Sequence, residues 1–232
     1  MNFFEPYSLP IHLFITPRKL PYEIKYRGGF LFHRLTLYLQ EIHPLNLNIR
    51  MLVWFNSPIV SEHLHIPKQP VEIGCNHLYQ KRNLTYCCAY DPRTRDQITK
   101  DLNTKNTEIT KNTKPIFYTR NGAKSELFNE VNTPNRLQPE DSGTLAIALA
   151  IFYLKAKTIN IIGCGWHLDE TDSLFDNQYT HKKIYNKGSN RKLQLLRTYQ
   201  KEFNVAINFI SNKPVDTYLG WSSFEEFLHN NH

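Results

Sequence analysis

The sequence predicts an α/β protein built on a mainly parallel central sheet flanked by helices. Three observations carry that prediction. Short runs rich in β-branched and aromatic residues alternate along the chain with stretches of helical pattern, the order that builds parallel βαβ units. One helix, within "EDSGTLAIALAIFYL", is apolar on every side from 145 to 154, so it has to lie buried between layers. The chain has 232 residues, 41% of them hydrophobic and 13% aromatic, enough to bury a sizeable core.

Taken in order, the strand candidates are "IHLFIT" (11–16), "RMLVWF" (50–55), "PVEIGC" (70–75), "LTYCCAY" (84–90), "PIFYT" (115–119), "TINIIGC" (158–164) and "VAINFI" (205–210). Helices are expected over 30–42, 142–154, 190–203 and 223–229. In the last, Ser222 and Ser223 precede Glu225 and Glu226, a helix-start signal. At the buried helix, Asp141 or Ser142 is the natural N-cap and Gly143 permits close backbone approach. Its first N–H groups suit a phosphate or carboxylate, and the same pattern also suits an ordinary capped core helix. Residues 97–114, "QITKDLNTKNTEITKNTK", show no apolar face and read as a solvated loop or a frayed surface helix. Residues 169–190 form a long polar connection between a strand and a helix, the kind of segment that serves as a lid or binding loop.

The net charge of +7 points either to an anionic partner (nucleotide, nucleic acid, acidic glycan or membrane surface) or to a generally basic, solvated surface. None of the four cysteines stands in a CxxC pair. Zinc sites need closely spaced ligands and secreted scaffolds a denser framework, so reduced, mostly buried thiols in a cytoplasmic protein are expected. The stretch "MNFFEPYSLP" lacks the pattern of a secretory signal, and no run reaches the ~18 apolar residues of a membrane span. A soluble chain is therefore expected.

"INIIGCGWHLDE" (159–170) invites reading as a cofactor loop. A dinucleotide fingerprint needs a further glycine and a helix that brings its positive end to the pyrophosphate. The residues beyond Gly163 and Gly165 are polar, with no helical stripe. The glycines are expected instead to let a strand end tightly beside a pocket.

The order of elements resembles that of bacterial lipooligosaccharide sialyltransferases and the related group of motility-accessory-factor glycosyltransferases and 6-hydroxymethylpterin pyrophosphokinase-like proteins. "DSGTLAIALAIFYLKAKTINIIGCGW" resembles the segment in which a Ser-Gly opens a buried helix before a strand. "VWFNSPIVSEHL" stands at the nucleotide loop, "VEIGCNHLY" at the following strand with its Cys-Asn, and "CCAYDPRTRDQ" at the strand ending in an aromatic-Asn-Pro turn. "NRKLQLLRTYQKEFNVAINFISN" is similar to the late helix and strand. The match spans roughly 50–212. It implies a Rossmann-like domain over 50–232, with 1–49 as an N-terminal extension packed on it in one globular unit.

By position, the resemblance implies that Asn56 and Pro58 lie at the donor's phosphate and ribose and that Asn76 hydrogen-bonds the donor. Asp91 replaces an asparagine near the nucleotide sugar, and Ser142, Gly143 and Thr144 contact the donor from the helix start. Asn56 also reads as a turn residue before Pro58, and Asn76 as a strand-end hydrogen bonder. The chain departs from the family pattern in four places, the first being Gly165 where the family's strand ends in an aspartate. "FNSP" lacks the glycines of the nucleotide loop, a leaving-group tyrosine falls near His167, and the catalytic histidine falls near Lys187.

Glycosyl transfer needs a base for the acceptor and charge stabilisation for the departing phosphate. His181 is the candidate base and His167 the candidate hydrogen-bond donor to the leaving group. Lys182 or Lys187 is placed to neutralise phosphate, with Tyr179 and Tyr185 available from the same polar loop. "DETD" (169–172) has oxygen-ligand spacing for Mg²⁺, yet solvated loop acids are the plainer reading, and no metal residue is assigned. The resemblance implies transfer from a nucleotide-activated sugar, most simply a CMP-sialic-acid-type donor, to a glycan or other hydroxyl acceptor, without metal or further cofactor. The alternatives are a Mg²⁺-dependent pyrophosphokinase-like transferase and a non-catalytic nucleotide- or nucleic-acid-binding protein.

Overall fold

The run RMLVW becomes β1 (Arg50–Trp54), and its side chains show how the layers arise. Met51 and Val53 enter one hydrophobic cluster while Leu52 and Trp54 enter another, because successive side chains of a strand point to opposite faces. A strand covered on both faces reads as a continuous apolar run, and all four of these residues are buried. The computed structural model describes residues 50–104, 114–123, 125–165, 185–212 and 214–230, with backbone alone at 58, 59, 61, 104 and 185–189. Two compact units divide the chain, Met1–Asn46 and Leu47–His232, and the described residues belong to the second. The strand expected at 11–16 and the helix expected at 30–42 lie outside them.

Among the described residues seven further strands come after it: β2 (Glu72–Cys75), β3 (Tyr86–Cys88), β4 (Ile116–Arg120), β5 (Phe128–Val131), β6 (Thr158–Ile162), β7 (Ala206–Ile210) and β8 (Gly220–Ser222). The helices are α1 (Pro92–Thr104), α2 (Ser142–Ala148), α3 (Tyr185–Phe203) and α4 (Phe224–His229). All pairings are parallel, in the order β5-β4-β3-β2-β1-β6-β7-β8. Helices α2 and α3, with the turn after α2, supply Leu145 to Ala150, Leu196 and Tyr199 to the cluster on one face. On the other face, α1 supplies Ile98, α4 supplies Phe227, and the 3-10 segments Pro58–His63 and Asn76–Gln80 supply Val60 and Leu78. The expected architecture, a Rossmann-like parallel sheet between helical layers, is the one found.

Three details differ from the sequence reading. Of residues 97–114, expected as a solvated loop or a frayed surface helix, 97–104 complete α1, which begins at Pro92, and 105–113 lie outside the described residues. Asp91 caps it, its Oδ1 accepting from the N–H of Arg93 (2.8 Å) and Thr94 (3.4 Å). Strands β5 and β8 have no counterpart among the expected elements. The helix expected over 142–154 is α-helical only to Ala148 and continues as a π turn, Leu149–Tyr153. That wider turn carries Tyr153 to the end of β5, where its hydroxyl donates to Glu130 O (3.2 Å) and accepts from Asn132 N–H (2.9 Å).

Candidate functional site

Strand order reverses between β1 and β6, and in open α/β sheets ligands bind outside the carboxyl ends of the strands at such a point. The chain places Phe55–Ser57 after β1 and Gly163–Gly165 after β6. Phe55 N–H continues the ladder to Ile162 O at 2.8 Å. Gly163 has φ +75°, and a Cβ on it would lie 1.9 Å from Val60 Cγ2 and 3.0 Å from Phe55 O. This glycine therefore ends β6 tightly against the chain leaving β1, in a left-handed conformation that side chains resist. Ser57, whose Cβ would lie 3.4 Å from a Cβ on Gly165, has its Oγ buried with no hydrogen-bond partner among the described residues.

A polar network joins the next strand ends to α2. Asn76, just past β2, has φ 55°, a conformation asparagine tolerates better than most residues. Ser142 Oγ donates to Asn76 Oδ1 at 2.7 Å and accepts from Tyr90 N–H, just past β3, at 3.0 Å. Cys75 Sγ donates to Ser142 O at 3.3 Å, and Cys87 Sγ to Asn76 O at 3.1 Å. With Oδ1 held by the serine hydroxyl, Asn76 keeps Nδ2 as a donor that has no partner among the described residues. The Ser142 hydroxyl, on a residue only 7% exposed, is thus engaged on both sides.

The start of α2 is closed by a reciprocal cap. Asp141 Oδ1 accepts from Thr144 N–H at 2.8 Å, while Thr144 Oγ1 accepts from Asp141 N–H at 3.0 Å. Thr144 is fully buried, and a Cβ on Gly143 would lie 2.4 Å from the Phe55 ring, so both are packed inward. Asp141 Oδ2 pairs with Lys192 Nζ at 2.6 Å and Glu140 with Arg191 at 2.5 Å, which ties α3 to the beginning of α2.

Of the residues expected from sequence, the structure brings Asn76 and Ser142 into direct contact and places Asp91 one residue beyond Tyr90. Asp91 is exposed and engaged as the cap of α1. Asn56 is partly buried after β1, and the backbone of Pro58 opens the 3-10 segment. Tyr185 and Lys187 lie in the first turn of α3, where the backbone alone is described. His167, Tyr179 and His181, with Lys182 and the acidic run 169–172, lie outside the described residues. Among the described residues no three His, Cys, Asp or Glu side chains gather as metal ligands, and no helix is long and apolar enough to cross a membrane. Sequence reasoning missed Ser57, Tyr90 and Lys192. Ser57 stood between two residues already singled out, whereas the other two act through contacts distant in sequence.

All four cysteines are free and buried, as expected. Cys75 and Cys88 are register partners on adjacent strands and share one cluster. Burial, and then the neighbouring Cys88, push the Cys75 thiol well above its ordinary value of 9.0, and burial does the same for Cys87 and Cys88. Burial also pushes Tyr79 up to about 12. These groups stay neutral in the folded chain while the unfolded chain ionises, so their contribution is intact below the unfolded values and is lost as pH rises through the folded ones. The urea midpoint is expected to hold steady from pH 7 to about 8 and to fall progressively between about pH 9 and 11, where these groups ionise only in the unfolded chain. A flat profile to pH 11 would place these thiols in contact with water.

The fold is similar to that of the sialyltransferase CstII from Campylobacter jejuni, solved in complex with a substrate analogue, cytidine-5'-monophosphate. The TM-score is 0.55 at 14% identity, over 74% of this chain and 84% of that one. At that identity the likeness establishes the shared fold. Of the two groups the sequence resembles, the sialyltransferases are the one whose fold it supports. No family model and no curated protein sequence matches the chain.

Proposed function

We propose that this chain is a glycosyltransferase that takes a sugar from a nucleotide-activated donor of the CMP-sialic-acid type and passes it to a hydroxyl acceptor without a metal ion. The observation that carries this reading is the Ser142–Asn76–Tyr90 network at the carboxyl ends of β2 and β3, next to the reversal of strand order. A fixed amide donor and a buried hydroxyl at Ser57 suit phosphate and sugar oxygens. In this reading Asn76 Nδ2 and the residues after β1, Asn56 to Pro58, hold the donor. Ser142 orients Asn76, and Gly143 and Thr144 act through their backbone. His167 donates to the departing phosphate, His181 takes the acceptor proton, and Lys187 balances phosphate charge. Tyr179 and Tyr185 complete the enclosure. A histidine with an ordinary pKa of about 6.5 suits general-base work near neutral pH.

Thermal shift and calorimetry with CMP, UDP, GDP, ATP and single-stranded oligonucleotides, each with and without Mg²⁺, test the reading. CMP is expected to stabilise the chain, with Mg²⁺ making no difference. Ser142→Trp is expected to lower its affinity at least about 100-fold, and Asn76→Ala about 10-fold, equivalent to the loss of one useful hydrogen bond. A response that requires ATP with Mg²⁺ would move the assignment to a pyrophosphokinase-like transferase. Binding of oligonucleotides alone, falling steeply with salt, would remove the enzyme reading.

A further inference from the structure

Arginine is paired with acid over much of the described chain. Arg82 pairs with Glu72, Arg136 with Glu202, Arg191 with Glu140 and Arg197 with Asp216. The remaining described arginines are Arg50, Arg93, Arg95 and Arg120. None has a carboxylate within ion-pair distance among the described residues. Three of those four stand at the carboxyl ends of β3 and β4. Arg120, the exposed last residue of β4, has its guanidinium carbon 5.0 Å from the centre of the Tyr90 ring. Tyr90 is the residue whose N–H is held by Ser142. The turn that begins at Arg120 closes through Ala123 N–H to Arg120 O at 3.3 Å, and Arg95 reaches the same turn from α1, its Nη1 donating to Ala123 O at 3.1 Å. Arg95 Nε is buried and has no partner among the described residues. Arg93 is exposed in the first turn of α1.

The acids nearest in sequence form no ion pair with this group. Asp91 is engaged by the amides of α1, and Asp96, exposed on the same helix, pairs with none of the three. Like charges left together repel, and guanidinium forks match the paired oxygens of carboxylate and phosphate. We propose that Arg93, Arg95 and Arg120 form an oxyanion-binding site at the carboxyl ends of β3 and β4 that takes a phosphate or carboxylate group of a small-molecule ligand. Its existence stands on the arginines themselves; its use as a subsite for transfer rests on the glycosyltransferase reading.

Inorganic pyrophosphate is the probe, titrated calorimetrically into the full chain at low salt. Wild type is expected to bind it, and Arg93→Gln with Arg120→Gln to weaken it at least tenfold. Arg95 stays in place because its bond to Ala123 O supports the turn. Lys157→Gln with Lys201→Gln removes the same charge from exposed positions at the other end of the sheet and is expected to leave the affinity unchanged. Equal weakening in the lysine variant, no weakening in the arginine variant, or no binding by wild type each overturns the proposal. Parallel titrations with CMP and cytidine identify the source of the anion. If the preference for CMP over cytidine shrinks in the arginine variant, the site holds the donor's phosphate. If CMP affinity stays while pyrophosphate affinity falls, the site holds an anion of the acceptor. Absence of CMP binding defeats the donor reading and leaves the pyrophosphate result to decide this one.

Discussion

Replacing Glu72 by alanine is expected to remove about 3–5 kcal/mol of stability, because it strands a buried guanidinium. Glu72 is fully buried and Arg82 nearly so. They meet through two bonds of 2.6 Å, Nε to Oε2 and Nη2 to Oε1. Arg82 Nη1 also donates to Leu64 O (2.8 Å) and Ile66 O (3.0 Å), and the guanidinium lies 4.3 Å from the centre of the Trp54 ring. These bonds join the chain after the 3-10 segment Asn76–Gln80 to the connection between β1 and β2. Removing the carboxylate leaves the charge uncompensated in a site too dry to hydrate it. A small domain has about 5–15 kcal/mol in total, so the variant is expected to be marginal in urea titrations. Substituting both partners with methionine is expected to recover much of the loss, since apolar replacement of a buried ion pair is often neutral. A loss below about 1 kcal/mol in Glu72→Ala would mean the pair behaves as a solvated one.

The parts of the fold that were legible are those whose burial is written locally. Strands β1, β6 and β7 are apolar runs, and α2 is apolar all round. Strand β8 is three residues long at the sheet edge, with Gly220 and Trp221 exposed, so it leaves no pattern to read. In β5, Phe128 and Val131 face inward over only four residues, too few to establish a period. Helix α1 adds Ile98 and, partly buried, Leu102 to the cluster on its face of the sheet; the polar run from 97 onward hides this sparse apolar spacing. The π turn sets Tyr153 against Glu130 O and Asn132 N–H, contacts distant in sequence. At the site, Asn76 and Ser142 could each be named from the order of motifs. Their hydrogen bond spans 66 positions and exists only once β2 is laid beneath α2. The unpaired arginines were invisible for the same reason, since pairing depends on which acids the fold brings near.

Gly163→Ala is expected to cost about 2–4 kcal/mol, combining a left-handed backbone that a Cβ resists with overpacking against a full core. The added carbon would meet Val60 Cγ2 at 1.9 Å and Phe55 O at 3.0 Å; the first is a side chain, but the second is backbone of the strand-β1 exit and cannot swing aside. Gly165→Ala provides the contrast. Its nearest neighbour would be Ser57 Cβ at 3.4 Å, an ordinary contact, so a change within about 0.5 kcal/mol is expected. Adding Val60→Ala to Gly163→Ala relieves the closest clash but neither the backbone conformation nor the approach to Phe55 O, so the double variant should not return to wild-type stability. Urea midpoints of the four proteins decide what the Gly-Cys-Gly run does. If both glycines serve a bound phosphate, both substitutions should weaken ligand affinity and leave stability nearly unchanged. If Gly163 ends β6 against the chain leaving β1, stability falls at that position alone. The second outcome is expected, because β1 and β6 can stay paired to Trp54 and Ile162 only if the chain turns away from Phe55 and Val60 at the next residue. The spacing of the β1 and β6 exits, and with it the placing of Asn56 and Ser57, then depends on one hydrogen atom where any other residue carries a carbon.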